Sequence, residues 1–278
     1  MSIAEMPLND VLMLAGALVG AGIVSGLLAG IFGVGGGAVI VPVLYEVFRL
    51  IDVPEDVRMQ LCVGTSLAII VPTSISSYRA HLRRDAVEIP VLRVWLVPVV
   101  LGVAIGGYVA SFAPAWVFKA VFVAVASISA FKLLFGRDDW RFADSLPGKA
   151  VMRLYGLMIG IASALMGIGG GAISNLLLSL YAMPIHRAVA TSAGLGVIIS
   201  VPGVIAYIFS GWSKMAALPP FSIGYVSLIG FAMMVPTSII AAPWGARIAH
   251  ALPKRKLEVA FGIYLATVAA RFVAAIIW

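Results

Sequence analysis

The chain has 278 residues, of which 62% are hydrophobic and only 11% are Asp, Glu, Lys or Arg, with a formal charge of +7. A soluble domain carries about 25% charged residues, so a water-soluble fold is excluded and lipid must cover most of the surface. The Lys and Arg residues sit in short clusters between apolar runs, with no basic stripe interleaved with aromatics; that is the distribution of topology signals and speaks against nucleic acid as a partner.

Apolar runs extend over about Val11–Phe48, Leu61–Tyr78, Val94–Phe112, Trp116–Phe135, Leu154–Ala182, Ala188–Phe209, Ile223–Ala249 and Leu257–Ile277. Barrel strands would read as alternating segments of about ten residues; none is visible, so an all-α polytopic membrane protein is predicted. The first ten residues contain Glu5 and Asp10 but no Lys or Arg, so the first run is expected to be retained and not cleaved as a signal peptide. Cys62 is the single cysteine, which excludes an intrachain disulfide and predicts a buried structural thiol.

An ordered internal repeat runs through the chain. Gly33-Val34-Gly35-Gly36-Gly37-Ala38 returns as Gly167-Ile168-Gly169-Gly170-Gly171-Ala172. Gly64-Thr65-Ser66 then matches Ala190-Thr191-Ser192, Val71-Pro72 matches Val201-Pro202, and Tyr78 matches Tyr207. Pro98 with Gly107 corresponds to Pro236 with Gly245, and Lys132 to Arg271. Two membrane repeats are expected, residues 1–135 and 154–278, joined by a connector at 136–153.

Charge shows how the halves are related. The stretch from Arg79 to Arg93 also holds Arg83 and Arg84, whereas its counterpart around Ser210 to Ser222 has only Lys214. The Ala113-Pro114-Ala115 turn is uncharged, whereas its counterpart carries His250, Lys254, Arg255 and Lys256. Equivalent loops thus carry opposite signals, and the positive-inside rule predicts an inverted repeat with a cytoplasmic connector. Inversion requires an odd number of full spans in each half. The glycine segment Leu154–Ala182 covers about 44 Å as continuous helix, too short to cross twice, so a hairpin broken at the glycines is expected. The longer first copy leaves two true spans open.

Consecutive glycines inside a membrane helix cost about 1 kcal/mol each relative to Ala and let the backbone leave helical geometry. A helix restarting after them points its positive N-terminal end and free amides at whatever lies there, which suits an anion. Two such ends from opposite sides would converge near the bilayer midplane, the pattern of a transporter site; the alternative is that these glycines only allow close helix packing. The candidate substrate-binding residues are Gly33, Gly35, Gly36 and Gly37 with Gly167, Gly169, Gly170 and Gly171. Thr65, Ser66, Thr191 and Ser192 add hydroxyls that either donate to an oxyanion or cap helices, and Asn175 adds a donor one turn into the second helix. Lys119, Lys132, Glu258 and Arg271 are expected to snorkel from span ends, as is Glu46. His186 and Arg187 either greet an anion or serve as a topology signal. No Walker A, HExxH or GxSxG motif is present, which argues against an enzyme; no cofactor or metal is expected.

The segments GIFGVGGGAVIVPVL and ALMGIGGGAISNLLL, each followed by a Thr-Ser span, together with LPKRKLEVAFGIYL near the end, make the chain resemble the TauE/SafE family of sulfite and organosulfur-anion transporters. That resemblance implies a secondary transporter, most often an exporter, of sulfite or a sulfonate across the bacterial inner membrane. It implies binding at the paired glycine segments and Thr-Ser pairs and leaves the particular anion and the oligomeric state open. An anion channel is the alternative from another class.

Overall fold

The computed structural model describes residues 8–32, 36–136, 142–251 and 254–277. They form ten helices: α1 (Leu8–Phe32), α2 (Gly37–Leu50), α3 (Glu55–Leu82), α4 (Ile89–Ala110), α5 (Ala115–Phe135), α6 (Lys149–Met166), α7 (Gly171–Leu180), α8 (Ile185–Gly211), α9 (Leu228–Ala251) and α10 (Lys254–Ile277). A short 3₁₀ turn at Trp212–Ala217 and a two-residue hairpin, β1 (Ser222–Ile223) paired with β2 (Val226–Ser227), link α8 to α9. Each half therefore contributes five helices in the same order. Helix α6 begins at Lys149, inside the span read from sequence as connector.

The helix starts follow from local chemistry. Pro54, Pro114 and Pro184 precede α3, α5 and α8 in extended conformations, since proline restricts its own φ and pushes its predecessor out of the α region. The turns before Pro54 and Pro184 are copies of each other. Asp52 and Ala182 both take positive φ, 57° and 58°, and Val53 and Met183 donate back to the Phe48 and Leu178 carbonyls at 2.9 and 3.2 Å.

Side-chain neighbours fix the helix directions. Gly64 lies beside Tyr207, Leu67 beside Gly203, Ser74 beside Gly196 and Tyr78 beside Gly194, so α3 and α8 run antiparallel. Lys119 reaches Ala275, Phe122 meets Phe272 edge-on at 5.0 Å, and Leu134 packs on Gly262, so α5 and α10 are antiparallel too. These are equivalent helices of the two repeats, and opposite directions make the repeat an inverted one. The remaining large contacts exchange partners between halves. Gly156 packs on Trp95, Gly160 on Val99 and Gly102, and Gly106 on Ala164, which sets α6 parallel to α4. Gly22 packs on Met234, Gly26 on Ser238 and Gly245 on Leu27, which sets α1 parallel to α9. Glycine at these crossings lets backbones approach, which substitutes for the hydrophobic drive that lipid does not supply.

Among the described residues, seven helices are long and apolar enough to cross a membrane: α3, α4, α5, α6, α8, α9 and α10. Helix α6 nevertheless ends at the glycine break, beside the middle of α3, and the chain then returns. Tyr155 on α6 and Tyr181 just after α7 share a hydrogen bond of 2.9 Å, so the two ends of the α6–α7 segment are adjacent and form a re-entrant hairpin. In the first repeat Glu46, late in α2, pairs with Arg271 late in α10 at 2.8 Å, whereas Ala38 at the start of α2 accepts from Tyr264. Helix α2 thus runs from the middle of α10 toward its C-terminal end. The first glycine segment is also a hairpin, not two spans, and three full spans remain per half.

Burial separates column from rim. Helix α3 is 78% buried along its most apolar stretch, against 28% for α9 and α10. The inverted arrangement fixes the expected topology. Reporter fusions placed between residues 144 and 148 and at Lys256 should read cytoplasmic, and a fusion after Trp278 periplasmic. A cytoplasmic reporter at Trp278 would contradict the antiparallel relation of α5 and α10.

Candidate functional site

The second glycine break is described in full. Helix α6 closes at Gly167, φ 66°, whose N–H donates to the Ser163 carbonyl at 3.0 Å. Gly170, φ 71° and ψ −8°, is the N-cap of α7, and in the first repeat Gly36, φ 74° and ψ −7°, is the N-cap of α2. The left-handed region costs an L-residue about 1–2 kcal/mol, so glycine is required at both caps. Neither cap receives a side-chain hydrogen bond, which leaves the first-turn amides of both helices without the usual capping oxygen. Gly33 and Gly35 lie outside the described residues.

The two breaks touch. A Cβ built on Gly37 would stand 2.6 Å from the Gly167 carbonyl oxygen and 2.8 Å from Ile168 Cα, and Gly169 faces Ile70 and Gly196. Ser66 Oγ, from near the middle of α3, donates to the Gly167 oxygen at 2.6 Å. Ile70 and Gly196 likewise lie near the centres of α3 and α8. The hairpin tips therefore meet halfway along the two central helices, where the bilayer midplane falls, and Gly36, Gly37, Gly167, Gly169, Gly170 and Gly171 are all buried. The N-terminal ends of α2 and α7 each carry about half a positive charge.

The hydroxyl residues divide by role. Thr65 Oγ1 accepts from the Ser227 N–H at 2.9 Å, and Thr191 Oγ1 accepts from the Glu88 N–H at 3.0 Å. Both threonines are fully buried and tie down the entry to the next span, α9 in one half and α4 in the other; this is a capping role, displaced to a neighbouring helix. Ser192 and Ser174 form a chain from Asn175 Oδ1 to the Gly170 carbonyl, with contacts of 2.7, 2.7 and 2.8 Å. With the Ser192 proton on Asn175 Oδ1, the single Ser174 proton serves either Ser192 or the Gly170 carbonyl, and both hydroxyls donate within the protein. Ser66 and Ser192 thus hold the tip of the second hairpin against α3 and α8.

One polar group at the break is uncommitted. Ser163 Oγ, fully buried on α6, has no hydrogen-bond partner and lies 3.2 Å from where a Cβ on Gly170 would stand. An orphaned buried hydroxyl costs about 1–3 kcal/mol, a cost that a bound oxygen acceptor would relieve. Nothing in the sequence singled out Ser163, because it lies in the helix one turn before Gly167 and only the fold brings it to the cap of α7.

Charged groups lie away from the tips. Lys119 is a correction to the snorkelling expectation: it is 3% exposed, paired with Glu55 at 3.1 Å, and lies 5.3 Å from the Tyr45 ring centre. Lys132 bonds Ser179 on α7 instead of reaching past the helix end, and Arg187 pairs with Glu88 on α4. Glu46 takes Arg49 as well as Arg271. Cys62 is buried, as expected.

Two substitutions separate the break from its surroundings. Gly36→Ala should lower the melting temperature, because the left-handed φ alone costs about 1–2 kcal/mol and the new Cβ meets the Ser25 carbonyl at 2.8 Å. Gly37→Ala gains about 1 kcal/mol of helix propensity but drives a methyl into the backbone of Gly167 and Ile168. It should still be destabilised, by about 1–3 kcal/mol for overpacking. A Gly37→Ala protein melting at or above wild type in a thermal scan would mean that the tips do not touch.

Comparison with known proteins gives a consistent picture. A probable membrane transporter protein of Haemophilus influenzae is 32% identical over 250 residues, covering 89% of this chain and 94% of its own length. A probable membrane transporter protein of Methanocaldococcus jannaschii is 27% identical over 252 residues, 90% of this chain and 92% of its own. A third, from Bacillus subtilis, is 29% identical over 226 residues, 73% and 82%. No solved structure matches the chain significantly. The profile of the family described as sulfite exporter TauE/SafE matches residues 18–272, and with ten helices, paired glycine-capped hairpins and transporter relatives of matching length, the chain belongs to the sulfite exporter TauE/SafE family of membrane transporters.

Proposed function

We propose that this protein is a secondary transporter that exports a small sulfur-containing anion, such as sulfite or an organosulfonate, across the bacterial inner membrane by alternating access. The observation that carries the reading is the contact of the two glycine breaks, Gly37 against Gly167 and Ile168, where two helices restart without side-chain caps and the orphaned hydroxyl of Ser163 lies at one of those caps. A sulfite or sulfonate offers three oxygens to amides and hydroxyls and needs no covalent chemistry to be held. Two half-charges suit a monoanion without a fixed Lys or Arg, so the anion can also be released.

The contacts at the tips supply the moving part. Ser66 to Gly167, and Ser192 with Ser174 and Asn175, hold the second break against α3 and α8. In the proposed cycle an entering anion takes over the amides at Gly36–Gly37 and Gly170–Gly171, and the serine hydroxyls turn from carbonyls to its oxygens. Loosening one hairpin at a time opens the site to one side only. Thr65 and Thr191, as struts to α9 and α4, would transmit that movement to the outer helices.

The test is ligand-induced thermal stabilisation together with counterflow in proteoliposomes, with sulfite, sulfoacetate, taurine, thiosulfate and sulfate compared side by side. Sulfite or a sulfonate should stabilise the protein and exchange across the membrane, and sulfate should do so less. Ser163→Ala relieves an unsatisfied hydroxyl, so the unliganded protein should melt no lower than wild type while anion affinity falls about tenfold, the scale of a lost bond to a charged group. Unchanged affinity in a folded Ser163→Ala protein would remove Ser163 from the site, and stepwise single-channel currents in planar bilayers would replace the carrier with a channel.

A further inference from the structure

A groove of about 660 Å³ runs along the outside of the α4–α6 pair, away from the glycine breaks. Its upper end is lined by Arg93, Lys149 and Arg153, and its lower wall includes Val97, Leu101 and Leu157. The two helices are parallel and both begin at this end, so their positive N-terminal ends add to the three cations. No acidic residue lines the groove, and among the described residues none of the three cations has an ion-pair or hydrogen-bond partner. Val97 and Leu101 are 63% and 54% exposed, which in a membrane protein means that they face lipid.

Arg93 to Leu101 and Lys149 to Leu157 each span eight residues, about 12 Å along the helix. Positive charge thus sits at one end of the groove and bare aliphatic surface begins within the reach of one lipid molecule. The inverted repeat offers an internal control. The equivalent positions in the α1–α9 groove, by the alignment of the glycine motifs and of Pro98 with Pro236, are Phe231, Ala15 and Val19. The same packing is therefore built without cations, so the helices do not need this charge to pack; on this side of the membrane it also serves as a topology signal.

We propose that the α4–α6 groove binds one anionic phospholipid, its phosphate between Arg93, Lys149 and Arg153 and its acyl chains along Val97, Leu101 and Leu157. Charge complementarity selects an anionic headgroup, and the apolar lower wall selects a lipid over a free anion. The bound lipid bridges the first repeat to the second glycine hairpin, because α4 belongs to one and α6 to the other. It would stabilise that junction and make the mobility of the α6–α7 hairpin depend on the lipid composition of one leaflet.

The experiment uses the full chain, delipidated in a neutral detergent, with melting temperature and native mass spectrometry read after adding phosphatidylglycerol, phosphatidylcholine or inorganic phosphate. Phosphatidylglycerol should raise the melting temperature and remain bound as a single adduct, and the other two should do neither. The triple variant Arg93→Gln, Lys149→Gln, Arg153→Gln should bind phosphatidylglycerol on the order of a hundredfold more weakly. Leu157→Trp, which fills the groove and keeps the charges, should also lose the adduct and provides a second reading if the triple variant does not fold. Equal stabilisation by phosphatidylcholine, or a full shift in either folded variant, would overturn the proposal; so would reproduction of the shift by phosphate alone, which would make this a small-anion site.

Discussion

Hydrocarbon offers no partner for a backbone N–H or C=O, so a helix that stops halfway across a bilayer must have its broken ends met by protein. This chain stops twice, at Gly36 and at Gly167–Gly170, and the rest of the structure is arranged around those stops. Helices α3 and α8 are the most central because they supply the walls against which the breaks rest: Ser66 holds the Gly167 carbonyl, and Ser192 holds the first turns of α7 through Asn175 and Ser174. Their own middles are lined with Gly196, Ile70 and Ile199 so that the tips can approach. The outer helices then have a simpler task, to close α3 and α8 off from lipid.

The exchange of partners between halves follows from the same constraint. A re-entrant hairpin does not reach across the membrane and cannot pack along the full length of a spanning neighbour in its own repeat. Helix α1 lies along α9 and α6 along α4, each hairpin joined to a span of the opposite half through Gly22, Gly26, Gly160 and Gly102. Neither repeat can bury its hairpin alone, so the halves fold as one body. Movement of a hairpin would load the other repeat directly, which is the coupling that the proposed transport cycle needs.

Electrostatics at the tips is delivered without a charged side chain. A Lys or Arg at that depth would need its own partner and would hold an oxyanion strongly. Helix ends and hydroxyls give directional donors of lower strength. The cations that lie within the helices serve elsewhere: Lys119 and Arg271 tie α5 and α10 to the first hairpin and its neighbours through Glu55 and Glu46, and Lys132 ties α5 to α7. The equivalence of Lys132 and Arg271 in the sequence repeat has a structural meaning here, since each anchors the short second helix of one hairpin.

Sequence alone was sufficient for the class of protein, the helical architecture, the inverted relation of the halves and the hairpin form of the second glycine segment. These follow from quantities that need no neighbours: apolar run length against bilayer thickness, charge bias between loops, and the cost of consecutive glycines. It could not decide whether the first glycine segment is a hairpin or two spans, because its length permits both; only contacts of α2 with α10, at Glu46 and Ala38, settle that. Nor could it distinguish helix breaks that merely allow packing from breaks that meet, since Gly37 and Gly167 lie far apart in the chain. The hydroxyls show the limit most clearly. Thr65 and Ser66 are adjacent in sequence and equally polar, yet one braces α9 and the other secures Gly167, because successive residues on a helix face directions about 100° apart and what each meets belongs to a different part of the fold.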